Sequence, residues 1–353
     1  MARTPFLNDK LISAGARFGD FHGVETAAAF ADARAEYRAL RSGCGLFDYA
    51  WRVQIQATGE DRVRWFNGMV TNNVRDLPAG HGVYCFLLNP QGHILGDMYV
   101  FNLGESIQVE TDSSQGSTLV EVFEKYIIMD DVELAAPVAR NAEGVAGPKA
   151  GEVLERAGFP ANGLASLEMR NLTGAEFDVT VIRLPHEVPA LEVLFAPGNA
   201  TKVWDRLVTA GATPVGYEAL ELWRISQGVP RYGQDIRQRD LPQETEQQHA
   251  LHFTKGCYVG QEIVERIRSR GQVHRKLAGF VIEGPAPLPG AKISAGGKDV
   301  GEITSVASLP SANGEDTTVA LGYIRREAGA EGTPVQVGST PAVVANLPFR
   351  EAR

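Results

Sequence analysis

The densest chemistry in this sequence lies in the run Lys255-Gly256-Cys257-Tyr258-Val259-Gly260-Gln261-Glu262 and the basic stretch after it. Gly256 and Gly260 bracket a cysteine in a turn, and Gln261 to Ser269 has helix-forming composition, closed by Gly271 in the position of a C-terminal cap. A cysteine just ahead of a helix meets unpaired backbone N–H groups and the positive end of the helix dipole. Both favour a thiolate, and Lys255, two residues upstream, adds positive charge if it folds back. Cys257 is therefore the candidate reactive thiol. From Lys255 to Lys276 six Lys or Arg stand against two Glu, a local balance of +4 in a chain whose formal charge is −9. That contrast points to an anionic ligand or partner. A plainer reading makes Ile263, Val264 and Ile267 a buried stripe and Cys257 a small core hydrophobe. A third makes His249, His252 and Cys257 a metal-binding set, although two histidines three apart beside glutamines are commonly solvent-facing.

The same run, with Arg270-Gly271 and Arg275-Lys276 behind it, resembles the signature of YgfZ-type folate-binding proteins, which share a fold with the T-protein (aminomethyltransferase) of the glycine cleavage system. The order Asp20-Phe21-His22-Gly23, Gly45-Leu46-Phe47-Asp48, Val70-Thr71-Asn72-Asn73-Val74 extends the resemblance along the chain. It implies an α+β fold of three domains in a cloverleaf, ending in a β-barrel. The domains would be a folate-binding core (1–52 plus 139–272), an inserted α+β domain (53–138) and the barrel (273–353). It also implies a tetrahydrofolate ligand, iron–sulfur proteins or their assembly factors as partners, and roles for the motif residues Lys255, Gly256, Tyr258, Gly260, Gln261 and Glu262 around Cys257.

Two further positions inherit ligand roles from the resemblance. Arg224 opens Arg224-Ile225-Ser226-Gln227-Gly228 ahead of Tyr232-Gly233-Gln234-Asp235, and a guanidinium fork suits the carboxylate of a folate tail. Glu192, in Pro189-Ala190-Leu191-Glu192-Val193, matches the pterin-binding glutamate, and Tyr84 and Asp97 join the expected folate set. Set against this is Gly92-His93-Ile94-Leu95-Gly96-Asp97. Aminomethyltransferases carry two aspartates at the end of that stretch, the first catalytic, and Gly96 takes the place of that first one. Glycine has no group to stabilise a developing charge, and Asp97, as a strand neighbour, points to the opposite face. The expectation is folate binding without aminomethyl transfer.

The elements that must position these residues are legible by period. Val53 to Ala57 alternates as a half-buried strand; Tyr84 to Leu88, the turn Asn89-Pro90-Gln91-Gly92 and His93 to Asn102 read as a hairpin. Helices are expected over Glu25 to Leu40, after Gly59-Glu60-Asp61, and over Gln115–Tyr126, Ala200–Ala210 and Tyr217–Gln227. Strands are expected over Phe177–Ile182 and Ala190–Phe195. His22, between Phe21 and Gly23, reads as a packed turn histidine. From Lys276 onward short apolar runs alternate with Gly- and Pro-rich turns, the pattern of a small barrel.

At 353 residues with 44% hydrophobic and 22% charged residues, the chain is long enough for two or three cores. It has neither an apolar run of membrane-helix length nor the hydrophobic stretch of a signal peptide. Three cysteines far apart suit a reducing compartment, so a cytoplasmic protein is expected. Acidity overall argues against general nucleic-acid binding. Gly43-x-Gly45 lacks the third glycine of a dinucleotide loop, and neither a phosphate loop nor a nucleophile elbow occurs.

Overall fold

The structure is a computed structural model describing residues 7–271, 273–310 and 316–349. The chain divides into two compact units, the first of residues 1–69, 73–85 and 98–220 and the second of 70–72, 86–97 and 221–353.

The first unit holds two six-stranded sheets and a hairpin. One sheet runs Met169–Leu172, Val179–Arg183, Ala190–Phe195, Ala142–Ala146, Gly45–Asp48, Thr213–Pro214; all neighbours are antiparallel except the last pair. Its apolar face carries Leu46, Val145, Val181, Leu191 and Val193, and the helices Ala150–Arg156 and Ala200–Thr209 close over it with Leu154 and Trp204. In the other sheet the order is His81–Leu88, Ile94–Asn102, Ile107–Asp112, Arg52–Thr58, Glu133–Leu134, with Val138–Ala139 also paired to Arg52–Thr58. Its first two strands form the expected hairpin, whose tip, residues 86–97, is counted with the second unit.

The alanine-rich stretch after Gly23 departs from expectation. Val24–Ala29 is a strand paired with Arg17–Phe21, and the helix starts only at Ala33 and ends at Ser42. Alanine's helix propensity is worth only a few tenths of a kcal/mol per residue, and tertiary pairing overrides it here. His22 (φ 56°) and Gly23 (φ 76°) form a turn with both torsions positive, the geometry that joins two antiparallel strands tightly. Glu36, buried on that later helix, accepts from the backbone N–H groups of Phe30, Ala31 and Gly216 at 2.6–2.7 Å.

The second unit carries the expected barrel, closed by six strands in the order Arg275–Ile282, Thr317–Arg325, Lys298–Leu309, Lys292–Ala295, Pro334–Val337, Thr340–Ala345 and back to the first. Phe280, Ile293, Ile303 and Ile324 fill it. Among the described residues no helix is long and apolar enough to cross a membrane.

Candidate functional site

In the first unit strand register gathers a buried ionic cluster around Glu192. Arg52 lies opposite Asp112, and Tyr99 opposite Glu110; residues facing each other across an antiparallel pair share a face, as do residues two apart on one strand. Arg52 donates to Glu110 at 2.9 Å and to Asp112 at 2.6 Å, with its guanidinium carbon 5.7 Å from the Tyr99 ring centroid. The Tyr84 ring lies 5.3 Å from that of Tyr99. Arg140, whose backbone N–H donates to the Arg52 carbonyl at 3.0 Å, reaches from this sheet to the other. One of its nitrogens, Nη2, stands 3.2 Å from Glu110 and 2.8 Å from Glu192.

Glu192 is thus not the solvent-facing strand position that a plain reading allows: it is 1% exposed. Burial pushes its carboxyl up to about 7, against the pull of Arg140 and with Glu110 pushing the same way. Two guanidiniums hold three carboxylates here, so the cluster carries one negative charge too many unless a proton joins it. Both Arg140 hydrogen bonds to Glu192 go to Oε2, and among the described residues the buried Oε2 of Glu110 has no hydrogen-bond partner. A buried carboxylate oxygen without a donor is the feature of this cluster that suits a ligand N–H.

The second unit holds the other expected residues. Arg224, near the end of helix Tyr217–Ser226, is nearly enclosed. Its guanidinium donates to Asp235 at 2.7 Å, to Glu221 at 3.2 Å, to the Val229 carbonyl at 2.6 Å and to the Ser305 hydroxyl at 3.0 Å. Every one of its nitrogens is engaged within the protein. Glu221 is shared with Arg231 at 2.6 Å.

On strand Ile94–Asn102 burial alternates as a half-buried strand demands: Ile94, Gly96, Met98 and Val100 are buried, while Leu95, Asp97 and Tyr99 are partly exposed. Asp97 therefore cannot present its carboxyl on the face that Gly96 occupies. The helix Gln261–Arg270 starts against this hairpin tip. Gly260 (φ 82°) is its N-cap, and a Cβ there would lie 2.6 Å from the Asn89 carbonyl oxygen; one on Gly92 (φ 78°) would lie 2.7 Å from Ile263. Two glycines are what allow the motif and the hairpin to touch. Gln261 accepts from the Tyr258 N–H at 3.3 Å, and Glu262 faces solvent in the first turn, where a carboxylate suits the helix dipole.

Lys255 is placed differently from the expectation that it would fold toward Cys257. It is 6% exposed; its ammonium donates to the carbonyls of Val70, at 2.7 Å, and Asn72, and lies 5.1 Å from the Tyr258 ring centroid. The lysine ties down the 70–72 segment, which Thr71 and Asn72 secure further by donating to the carbonyls of Ala250 and His249. Gly256 and Cys257 are exposed, so the thiol is no core hydrophobe, whereas Cys44 and Cys85 are buried. Burial pushes the Cys44 thiol up to about 12. His249, His252 and Cys257 do not form a metal site: among the described residues no three His, Cys, Asp or Glu side chains converge to hold an ion.

Sequence reasoning named Glu192 but missed Arg52, Glu110 and Arg140. The available signal was Arg140 itself, the one basic residue inside the small, mostly apolar run Ala135 to Ala146.

A mixed α+β chain ending in a closed six-stranded barrel is the T-protein fold. The chain belongs to the glycine cleavage T-protein family: residues 7–255 match the GCVT N-terminal domain and residues 275–350 the glycine cleavage T-protein C-terminal barrel domain. It is similar to an aminomethyltransferase of Rubrobacter xylanophilus, with 28% identity over 99% of this chain and 94% of the relative. A putative chloroplastic transferase of Arabidopsis thaliana is 25% identical over 88% of this chain and 72% of its own. In fold it resembles the crystal structure of the glycine cleavage system aminomethyltransferase T from Bartonella henselae. The TM-score is 0.86, with 23% identity and 98% of each chain covered.

Proposed function

We propose that this chain binds a reduced folate, tetrahydrofolate or a derivative, without performing aminomethyl transfer, and that it serves iron–sulfur proteins or their assembly factors through Cys257 in the manner of YgfZ-type proteins. Gly96 is the observation that carries the first half. The stretch that ends in two aspartates in aminomethyltransferases has a buried glycine at the first, and strand alternation turns Asp97 to the other face. Support for folate comes from Glu192, whose Oε1 takes neither of the Arg140 hydrogen bonds and could accept from a pterin N–H or amino group. Arg224 remains the proposed holder of a folate carboxylate, which would take the place of Glu221. The exposed thiol in the Lys255 to Glu262 motif supports the second half. The proposed partition into 1–52 plus 139–272, 53–138 and 273–353 is supported by the sheets, since each segment set contains a large sheet or barrel of its own.

Aminomethyl transfer itself is the second reading, favoured by the bacterial relatives, which are named aminomethyltransferases. One pair of measurements separates the two. Titration with tetrahydrofolate is expected to show binding that Glu192→Gln weakens by roughly 1.5–3 kcal/mol, the worth of a hydrogen bond to a charged group. An assay coupled to methylene-tetrahydrofolate formation is expected to stay at background. Turnover above about 1 per second, an ordinary enzymatic rate, would establish the transferase instead. Absence of folate binding removes both readings.

A further inference from the structure

On the outer side of the barrel, strand register lines up a group of cations that neither the ionic cluster nor the cysteine motif uses. Lys292 is opposite Glu302, Glu302 opposite Tyr323, and Arg325, two residues further on the same strand face as Tyr323, is opposite Arg275. Facing residues project together, so Lys292, Glu302, Tyr323, Arg325 and Arg275 share one surface. The core of the barrel is built from the alternate positions, such as Ile303 and Ile324. With Arg239 they line a cavity of about 360 Å³, to which Asp299 also contributes.

Three features of this cavity are costly without an anion. Arg275 and Arg325 form a like-charged cross-strand pair, which weakens a sheet; Asp240 and Glu244 neutralise Arg275, whereas among the described residues Arg325 has only Glu327, at 3.8 Å. Glu302 is crowded by three cations, Arg237 at 2.6 Å, Arg239 at 2.5 Å and Lys292 at 3.4 Å, and among the described residues only Arg237 has a second carboxylate, Asp240 at 3.9 Å. Tyr323, 1% exposed, has a hydroxyl with no partner among the described residues. Its ring lies 4.8 Å from the Arg275 guanidinium carbon, and burial pushes its phenol well above the usual range, so it remains a donor.

Donors are also left over on the arginines. Arg275 spends Nε and Nη2 on Asp240 and Glu244, leaving Nη1 without a partner among the described residues. Among the described residues only Nη2 of Arg239 is engaged, with Glu302. A guanidinium with free N–H groups beside a second guanidinium and an ammonium matches the several acceptor oxygens of a phosphate, which can take a donor from each.

We propose that this face of the barrel is a binding site for the phosphate group of a small molecule, held by Arg239, Arg275 and Arg325, with Lys292 and the Tyr323 hydroxyl as supporting donors. The site is independent of the folate reading, since none of these residues belongs to it.

Titration calorimetry of the full chain with inorganic pyrophosphate tests the assignment, with citrate as a carboxylate of comparable charge. Arg239 and Arg325 have side chains 59% and 60% exposed, so Arg239→Ala/Arg325→Ala removes two cations without opening the core. Pyrophosphate is expected to bind, and the double variant to bind it at least about tenfold more weakly, equivalent to 1.4 kcal/mol. Tyr323→Phe, which keeps the ring, is expected to weaken binding in the same direction while the melting temperature is retained. No binding at millimolar pyrophosphate, or equal binding by the double variant, would overturn the site. Citrate bound as tightly as pyrophosphate would overturn its assignment to phosphate.

Discussion

Arg140 Nη2 stands 2.8 Å from one carboxylate oxygen of Glu192 and 3.2 Å from one of Glu110, with all three side chains closed off from water. Removing ions from water is costly, and only mutual attraction in the dry interior offsets that cost. The arginine thus decides whether two carboxylates from two different sheets can be buried in one place.

Arg140→Met is accordingly expected to destabilise the protein by about 3–5 kcal/mol, because it strands buried charge. Urea unfolding at neutral pH measures the loss. Protonation relieves the stranded carboxylates, so the deficit should shrink as pH falls; a deficit below about 1 kcal/mol would show the pair to be dispensable.

The carboxyl of Glu192 supplies a pH dependence whose sign follows from its direction. Its folded value is raised from 4.5 to about 7, so the folded state holds the proton more tightly than the unfolded chain. The stabilisation is complete below about 4.5 and is lost as pH rises toward 7. Relative to Glu192→Gln, which has no proton to lose, the wild-type protein is expected to weaken across that window. Parallel stability profiles of the two proteins would refute the raised value.

Gly260 holds the start of the cysteine-bearing helix against the hairpin tip at a positive φ of 82°. Gly260→Ala adds both left-handed strain and a Cβ 2.6 Å from the Asn89 carbonyl oxygen, and is expected to cost about 1–3 kcal/mol or more. A melting curve measures this. An unchanged melting temperature would mean that the hairpin yields to the methyl group.

Of the three cysteines, only Cys257 is exposed. Iodoacetamide is therefore expected to label Cys257 in the native protein well before Cys44 and Cys85, which should react only on unfolding. Peptide mass spectrometry resolves the three sites; equal labelling rates would show that burial does not protect the other two. Cys257→Ser is expected to leave stability unchanged and to abolish any thiol-dependent cellular function.

Lys255→Met leaves the carbonyls of Val70 and Asn72 without their shared donor, and is expected to cost about 1–3 kcal/mol for each group that stays unsatisfied. Urea unfolding measures it. If the lysine served only to tune Cys257, labelling would slow with no loss of stability.

The sequence by itself determined the elements whose period is strong and whose ends are marked. Arg52–Thr58, the hairpin around Asn89 to Gly92, the helix Gln261–Arg270 behind Gly260, and the barrel of short apolar runs all stand where composition and turn residues put them. It also determined that Gly96 and Asp97 face opposite ways, because a strand has a period of two whatever surrounds it. Tertiary structure decided the rest. Val24–Ala29 became a strand because a pairing partner and a tight turn outweighed alanine's weak preference. Lys255 turned inward because the carbonyls of Val70 and Asn72, some 185 residues earlier in the chain, needed a donor. Arg140 and Glu192 met because two sheets packed with those positions facing. Local pattern encodes which way a side chain leaves its own element; which charge it finds there depends on elements far away in sequence, and no spacing within either segment records that.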